Sequence, residues 1–128
     1  AIGCVLVMEN IEDKDPHARV ELVKSFASDA VRVSLDVGHA HYAHHSTGAP
    51  PVDYYVRAGG ALLDHVHIQD ADGHADRHWL PGEGTILWPS VFRAFADWCV
   101  NPRLLIEVKD KRNLMKGADH LVRLGLAE

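Results

Sequence analysis

Four short apolar segments alternate with helical patterns along the chain, and this alternation limits the possible folds more than any other feature. The segments are Ile2–Glu9, Val31–Asp36, Leu62–Gln69 and Arg103–Val108. The first and the last are nearly continuous apolar runs, which is typical of strands covered on both faces in a parallel sheet. The alternation therefore predicts an α/β fold with parallel strands and right-handed crossovers.

Capping residues and prolines mark the start of four predicted helices. Asp15 precedes Pro16, as an N-cap precedes a first-turn proline. Ala18, Leu22 and Phe26 follow at helical spacing, so we predict that they form the core face of this helix. The other helices are predicted to begin near Pro51, Pro89 and Asn113, with apolar faces made of Val52, Tyr55 and Val56; Val91, Phe95 and Trp98; and Leu114, Ala118, Leu121 and Val122.

The spacing of the strand ends matches the repeat of a (β/α)₈ barrel. The residues near the strand ends, Glu9, Asp36, His67 and Glu107, are separated by 27, 31 and 40 residues. A barrel of about 250 residues averages about 31 residues per unit. We therefore predict one domain over residues 1–128, a (β/α)₄ half barrel with parallel strands that is a fragment of a (β/α)₈ barrel.

A half barrel leaves two strand edges open, and natural proteins rarely leave such edges uncovered. We expect the missing half of the barrel, or a second copy of the chain, to close them. A flavodoxin-like open sheet is the alternative. It is disfavoured because Asn10–Asp13, after the first strand, is acidic where that fold has a Gly-rich phosphate turn.

Composition narrows the expected partners and location. The chain has 18 acidic and 13 basic residues, a formal net charge of −5, so binding to nucleic acid is not expected. No apolar run reaches the roughly 18 residues of a membrane span, and no membrane partner is expected. Cys4 and Cys99 are too few for a disulfide framework, which favours a reducing, cytoplasmic setting.

Each predicted strand ends in a side chain that can bind a metal: Glu9, Asp36, His67 and Glu107. Carboxyl ends of parallel strands meet at one rim, so three carboxylates would repel each other there unless a cation lay among them. Oxygen ligands with one imidazole suit Mn²⁺, Zn²⁺, Co²⁺ or Mg²⁺. His65 shares the face of His67 one layer deeper, where we expect a hydrogen-bonded core histidine.

Two loop motifs add further candidates. His39 follows Asp36 by about one helical turn, close enough for the same ion, a second ion or a substrate hydroxyl. Asp76 and His78 form a D-x-H motif before a glycine turn, where a plain polar loop is the competing interpretation. Ten histidines exceed what ordinary packing requires, and three of them, His41, His44 and His45, are predicted to lie in a long flexible lid.

Six short motifs occur in one order along the chain: M-E-N at Met8–Asn10, L-D-V-G-H at Leu35–His39, H-V-H-I-Q-D at His65–Asp70, D-R-H at Asp76–His78, P-G-E-G at Pro81–Gly84 and I-E at Ile106–Glu107. Together they resemble the xylose-isomerase-like TIM-barrel superfamily. That superfamily comprises sugar and sugar-phosphate isomerases and epimerases, together with apurinic endonuclease IV. The resemblance covers nearly the whole chain and corresponds to barrel strands five to eight, the C-terminal half.

For the epimerase branch, the resemblance implies one divalent metal bound by Glu9, Asp36, His67 and Glu107. It also implies that the two glutamates are the catalytic acid/base pair, and that His39 contacts a substrate oxygen. The implied function is isomerisation or epimerisation of a sugar or sugar phosphate, by proton transfer through a metal-bound enediolate. The fragment lacks half of the site that such an enzyme needs.

Two features of the sequence leave alternative functions open. Ketose 3-epimerases carry an arginine six residues after the metal histidine, and here Gly73 occupies that place, so Arg77 is the substitute candidate for substrate binding. In the endonuclease branch, His39, Asp76 and His78 would bind further zinc ions, which implies cleavage of abasic DNA. That reading needs two histidines from the other half of the barrel. A third possibility is a catalytically incomplete half barrel.

Overall fold

A computed structural model describes residues 3–128 and places four parallel strands in one sheet. The strands are β1 (Leu6–Glu9), β2 (Val31–Asp36), β3 (Leu63–Ile68) and β4 (Arg103–Ile106), arranged in the order β1-β2-β3-β4. Sequential order is that of a barrel, whereas a flavodoxin-like sheet reverses direction at its first strand. The prediction of an α/β fold with parallel strands is confirmed. Ile2, the predicted start of the first strand, lies outside the described residues.

Five α-helices connect and cover these strands in the described part of the chain. Four of them begin where the capping residues and prolines predicted. Short 3₁₀ turns precede β3 and α5. The helices are α1 (Pro16–Ser25), α2 (Val37–Thr47), α3 (Val52–Gly59), α4 (Trp88–Trp98) and α5 (Leu114–Arg123). No helix among residues 3–128 is long and apolar enough to span a bilayer.

Helix α2 was not predicted. It begins directly after β2, because the Asp36 carboxylate accepts the backbone N–H of His39 at 2.9 Å and so caps the helix. The prediction of a flexible lid at His41, His44 and His45 is wrong, since all three lie on α2. Small residues make up most of its buried face, so the apolar period between the histidines is weak.

The two faces of the sheet differ in chemistry. Val33, Leu35 and Val66 are buried in the core between the sheet and the helices. Alternation places Ser34 and His65 on the opposite face, which is the inner face of a barrel. The helical layer therefore supplies the apolar core, and the inner face carries the polar side chains.

Several predicted core residues are exposed. On α1 the buried residues are Pro16, Val20 and Val23, while Leu22 and Phe26 are 43% and 52% exposed. The predicted α1 face is therefore wrong: α1 packs against β2 and α3, and these two side chains point away from both. Large apolar side chains are also exposed on or directly before the edge strands and on α4 and α5: Val5, Leu6, Trp98, Leu104, Leu105, Leu114, Met115 and Val122.

Candidate metal centre

The four side chains predicted at the strand ends lie together around one ring nitrogen. The Nδ1 atom of His67 is 2.6 Å from Oε2 of Glu9 and 3.1 Å from Oε2 of Glu107. Oδ2 of Asp36 is 3.9 Å from the same nitrogen. The sheet register explains the meeting, because Asp36 pairs with His67 across β2 and β3, and Glu107 hydrogen-bonds to the end of β3.

Oxygens of Glu9 and Glu107 lie close to this buried nitrogen, but neither contact has the geometry of a hydrogen bond. The nitrogen therefore has no hydrogen-bond partner within residues 3–128. Burying a polar atom without a partner is costly, and so is holding three carboxylates close together. A divalent cation would remove both costs by binding the nitrogen lone pair and neutralising the carboxylates. The donor set of Glu9, Asp36, His67 and Glu107 therefore fits the metal that the sequence predicts.

Asp36 is held in place from two neighbouring elements. Its backbone N–H donates to Oδ1 of Asn10 at 2.8 Å, and the Asn10 amide donates back to the Asp36 carbonyl at 3.1 Å. Its side chain is fully buried and caps α2, where the helix dipole favours negative charge. Asn10 and the α2 N-terminus therefore fix a carboxylate that could serve as a metal ligand.

Gln69 connects this carboxylate to the second loop motif. Its buried amide Nε2 lies 3.1 Å and 3.2 Å from the two carboxylate oxygens of Asp36 and 2.9 Å from Oδ1 of Asp76. Its Oε1 accepts the backbone N–H of His78 at 2.8 Å. A Cβ on Gly38 would lie 2.3 Å from Cδ of Gln69, so this position of α2 has room only for glycine.

Gln69 was not predicted as a positioning residue. Strand alternation puts it on the same face as His67, and this is the only signal in the sequence, because an amide at a strand end is also common in ordinary loops. The partners in the loop after β3 are separated from it by unpatterned residues, so their approach could not be inferred from spacing.

His39, Asp76 and His78 form a second group next to the first. The three groups whose potential ligand atoms all lie within 4.8 Å of one another are Glu9–Asp36–His39, Asp36–His67–Glu107 and His39–Asp76–His78, among residues 3–128. Nε2 of His78 is 3.0 Å from Oδ2 of Asp76, and Nε2 of His39 is 3.6 Å from its Oδ1. His39 belongs to two of these groups and so links them.

Hydrogen bonds orient the His39 ring. Its Nδ1 donates to the Asn10 carbonyl at 2.9 Å, since a carbonyl can only accept, and its Nε2 carries the free lone pair when the ring is neutral. Burial lowers the pKa of His39, but the charge of Asp36 and the bond to Asn10 raise it more, so the pKa is raised overall. Burial acts to raise the pKa of Asp76, but the Gln69 bond and the nearby imidazoles lower it overall.

Arg77 and His65 lie outside the group of potential ligands. The Arg77 guanidinium pairs with Asp72 at 2.9 Å and stacks 5.3 Å over the Trp79 ring, and it holds the pKa of Asp72 at about 2. Within the described residues it makes no contact with the strand-end carboxylates. His65 hydrogen-bonds Ser34 at 3.2 Å, as expected for a histidine one layer below the rim.

A buried aspartate anchors the loop that carries Asp76 and His78. Asp70 is 1% exposed, and its carboxylate accepts four N–H groups. The donors are the backbone N–H groups of Ala71, Gly82 and Ile86 and the indole N–H of Trp88, at 2.8–3.2 Å. The Gly-rich turn is therefore tied back onto the end of β3, which positions the loop between them.

Comparison with known proteins places the chain in a family. Residues 1–124 match the model of the family described as xylose isomerase-like TIM barrel. D-psicose 3-epimerase of Ruminiclostridium cellulolyticum is 29% identical over 112 residues, which are 78% of this chain and 35% of that protein. Fructoselysine 3-epimerase of Escherichia coli O157:H7 is 41% identical over 49 residues, 38% of this chain and 18% of that protein.

Among solved structures, a D-tagatose 3-epimerase-like protein is similar with a TM-score of 0.75 and 25% identity. The similarity covers 94% of this chain and 46% of that one. The match covers 35% of the D-psicose 3-epimerase and 46% of the D-tagatose 3-epimerase-like protein. The chain therefore spans a third to a half of the length of these relatives. The fold is thus half of a TIM barrel, and the chain belongs to the xylose isomerase-like TIM-barrel family.

Proposed function

We propose that the protein containing this chain is a divalent-metal-dependent isomerase or epimerase of a sugar or sugar phosphate. The observation that carries the proposal is the meeting of Glu9, Asp36 and Glu107 around the unpartnered Nδ1 of His67. The relatives named D-psicose 3-epimerase and fructoselysine 3-epimerase support the same class of reaction. A ketose substrate is the small-molecule partner that this class implies.

The residues that would hold the ion are Glu9, Asp36, His67 and Glu107. When bound, a cation such as Mn²⁺, Zn²⁺, Co²⁺ or Mg²⁺ polarises a substrate carbonyl and makes the adjacent C–H more acidic. Gln69, which bonds to the carboxylate, and Asn10, which bonds to the backbone, would keep Asp36 in place as the substrate enters.

The two glutamates would perform the proton transfers. Glu9 ends β1 and Glu107 follows β4, so they approach the His67 nitrogen from the two outer strands of the sheet. One carboxylate removes a proton from the substrate carbon, and the other returns a proton to the opposite face or to the adjacent carbon. His39 would contact a substrate oxygen through Nε2, because its Nδ1 is engaged by the Asn10 carbonyl.

The test is substitution of each glutamate in the complete protein. Glu9→Gln and Glu107→Gln should each lower turnover by about 100-fold or more, the usual contribution of a general acid or base. Turnover is measured on a panel of ketoses, together with exchange of the substrate C–H in D₂O. Glu12→Gln, an exposed glutamate beyond β1, is the matched control. Full activity in either of the first two variants would remove the assigned roles.

A zinc-dependent abasic-site nuclease is the second candidate, and the group of His39, Asp76 and His78 is the observation that favours it. Clustered zinc ions could activate water for phosphodiester cleavage. The net charge of −5 disfavours a DNA partner. Metal analysis of the complete protein separates the two: three tightly bound zinc ions with incision of abasic DNA favour the nuclease, and one exchangeable ion favours the isomerase.

Completion of the barrel is part of the proposal. Leu6 on β1 is 66% exposed and Leu105 on β4 is 49% exposed, so both open edges carry apolar surface. The missing half barrel, or a second copy of the chain, would cover these edges and complete the substrate pocket. Without that cover, the chain would be a catalytically incomplete half barrel, and light scattering should detect self-association.

A further inference from the structure

A second group of histidines lies on α2, outside the strand-end centre. His41, His44 and His45 line one cavity of about 390 Å³. Their spacing of three and four residues places them on neighbouring positions of one helical surface. Asp53 and Asp72 line the same cavity and add negative charge. The function proposed above uses none of these side chains.

The rings are close enough for one ion. The ring centroids of His41 and His45 are 4.7 Å apart, and those of His44 and His45 are 5.1 Å apart. Imidazoles bound to one Zn²⁺ at about 2.1 Å from each nitrogen have centroids no more than about 6–7 Å apart. The spacing of the rings therefore permits shared coordination.

Hydrogen bonds fix which nitrogens are available. Nδ1 of His44 donates to the Ala49 carbonyl at 2.5 Å, so its Nε2 carries the lone pair. Nε2 of His41 lies 2.8 Å from the Thr85 hydroxyl, which itself donates to the Ala71 carbonyl. With the Thr85 hydroxyl donating to Ala71, the His41 Nε2 is the donor to that hydroxyl, and its Nδ1 has the lone pair. Anchoring one ring nitrogen to an oxygen is how proteins orient histidines that bind metals.

His45 is the third candidate ligand, and no hydrogen bond in the described part of the chain fixes its ring. His45 is exposed, and its ring makes no hydrogen bond within residues 3–128. The three rings are not among the groups whose ligand atoms lie within 4.8 Å of one another, so binding one ion would require at least one ring to turn. His45, which is exposed and has no hydrogen bond to break among these described residues, is the ring that can turn at least cost. A Cβ on Gly73 would lie 2.3 Å from this ring, and the glycine leaves the space that the ring occupies.

We propose that His41, His44 and His45 form a second transition-metal site, with water in the fourth position. A site of imidazoles prefers borderline ions such as Zn²⁺, Ni²⁺ or Cu²⁺, whereas the oxygen-rich strand-end centre also accepts Mn²⁺ and Mg²⁺. The two sites therefore differ in metal preference. The second site stands whether or not the protein is an isomerase, because it shares no residue with the strand-end centre.

The test is Zn²⁺ titration followed by metal analysis and by ¹⁵N spectra of the imidazole rings. A background with Glu9→Gln, His67→Asn and His78→Asn disables both the strand-end centre and the neighbouring group of His39, Asp76 and His78. In this background we expect one Zn²⁺ per chain, with shifts of His41 Nδ1 and His44 Nε2. His45→Asn should weaken this binding by at least about 10-fold. His17→Asn, an exposed histidine on α1, is the matched control and should leave binding unchanged.

Three results would overturn the proposal: no Zn²⁺ bound in that background, binding that His45→Asn leaves unchanged, or ring shifts confined to other histidines. His41 is buried, so a His41 variant that fails to fold would not test the site. The His44→Asn and His45→Asn variants provide the test instead, with circular dichroism to verify folding.

Discussion

Asp36 and Asp70 are both buried carboxylates near the end of a strand, but they differ in the groups that surround them. Asp70 accepts four N–H groups and lies 1% exposed, with no other acid among its bonded partners. Asp36 shares its surroundings with two glutamates and a histidine nitrogen that lacks a partner. Both carboxylates accept N–H groups, Asp36 from His39 and Gln69, but the His67 nitrogen beside Asp36 has no hydrogen-bond partner within residues 3–128. That unpartnered nitrogen among carboxylates marks this strand end as a place for a ligand.

The largest expected effect on stability is that of replacing Asp70, whose carboxylate accepts four N–H groups. Asp70→Ala removes the acceptor of four buried N–H groups, so the free energy of unfolding should fall by about 3–5 kcal/mol. Urea denaturation measures it, and Asp64→Ala, an exposed aspartate on β3, is the control. A loss below about 1 kcal/mol would mean that Asp70 does not anchor the glycine turn.

Gln69 bonds both to Asp36 in the candidate metal centre and to Asp76 in the loop after β3. Its substitution should have an intermediate effect on the free energy of unfolding. Gln69→Ala removes the donor shared by Asp36 and Asp76, so we expect a loss of about 1–3 kcal/mol in the free energy of unfolding. Metal affinity should fall about 10–100-fold, because Asp36 loses its orienting bond. Affinity that does not change, in a variant that is measurably less stable, would leave Gln69 a structural role only.

Substitution of a strand-end glutamate should change the free energy of unfolding in the opposite direction. In metal-free protein, Glu107→Gln relieves repulsion among the strand-end acids, so the free energy of unfolding should rise, by about 1 kcal/mol or less. Chelator-treated protein is compared with its variant by urea denaturation, and Glu83→Gln, an acid that caps a loop N–H, is the contrast that should lose stability. A clear loss in Glu107→Gln would show that Glu107 is already satisfied by the protein.

Substitution of His41 should have the smallest effect, which is a change in the pH dependence of the free energy of unfolding. Burial, together with the charges of His45 and His44, lowers the pKa of His41 below its ordinary value of 6.5. The unfolded chain therefore binds a proton more readily, and the stability due to neutral His41 is lost as the pH falls below about 6.5. Unfolding free energies at a series of pH values should show a shallower acid loss in His41→Gln than in the wild type. Equal slopes would contradict the assignment.

Much of the fold could be predicted because its signals are local. Pro16 follows the capping Asp15, and the glycines after α3 end it, so those helix bounds agree with the structure. The strand-end residues could be placed because parallel strands bring their carboxyl ends to one rim. Glu9 and Glu107 meet although 98 positions separate them in the chain.

The failures have a physical cause in tertiary contacts. Leu22 and Phe26 follow a helical period but are exposed among residues 3–128, whereas Val20 and Val23 form the α1 core face. Helix α2 was missed because its first turn depends on the Asp36 cap, and Asp36 was interpreted as a metal-ligand candidate alone. One side chain can serve both purposes, which a residue pattern does not reveal.

The most direct test of the central claim is Mn²⁺ binding to chelator-treated protein, measured by calorimetry with the complete protein. Mn²⁺ selects the oxygen-rich strand-end centre over the imidazoles on α2. We expect one saturable site in the wild type and in His65→Asn, where the changed histidine lies one layer below the rim, and no site in His67→Asn. Equal Mn²⁺ binding by the wild type and His67→Asn, or none by either, would contradict a metal centre at the strand ends.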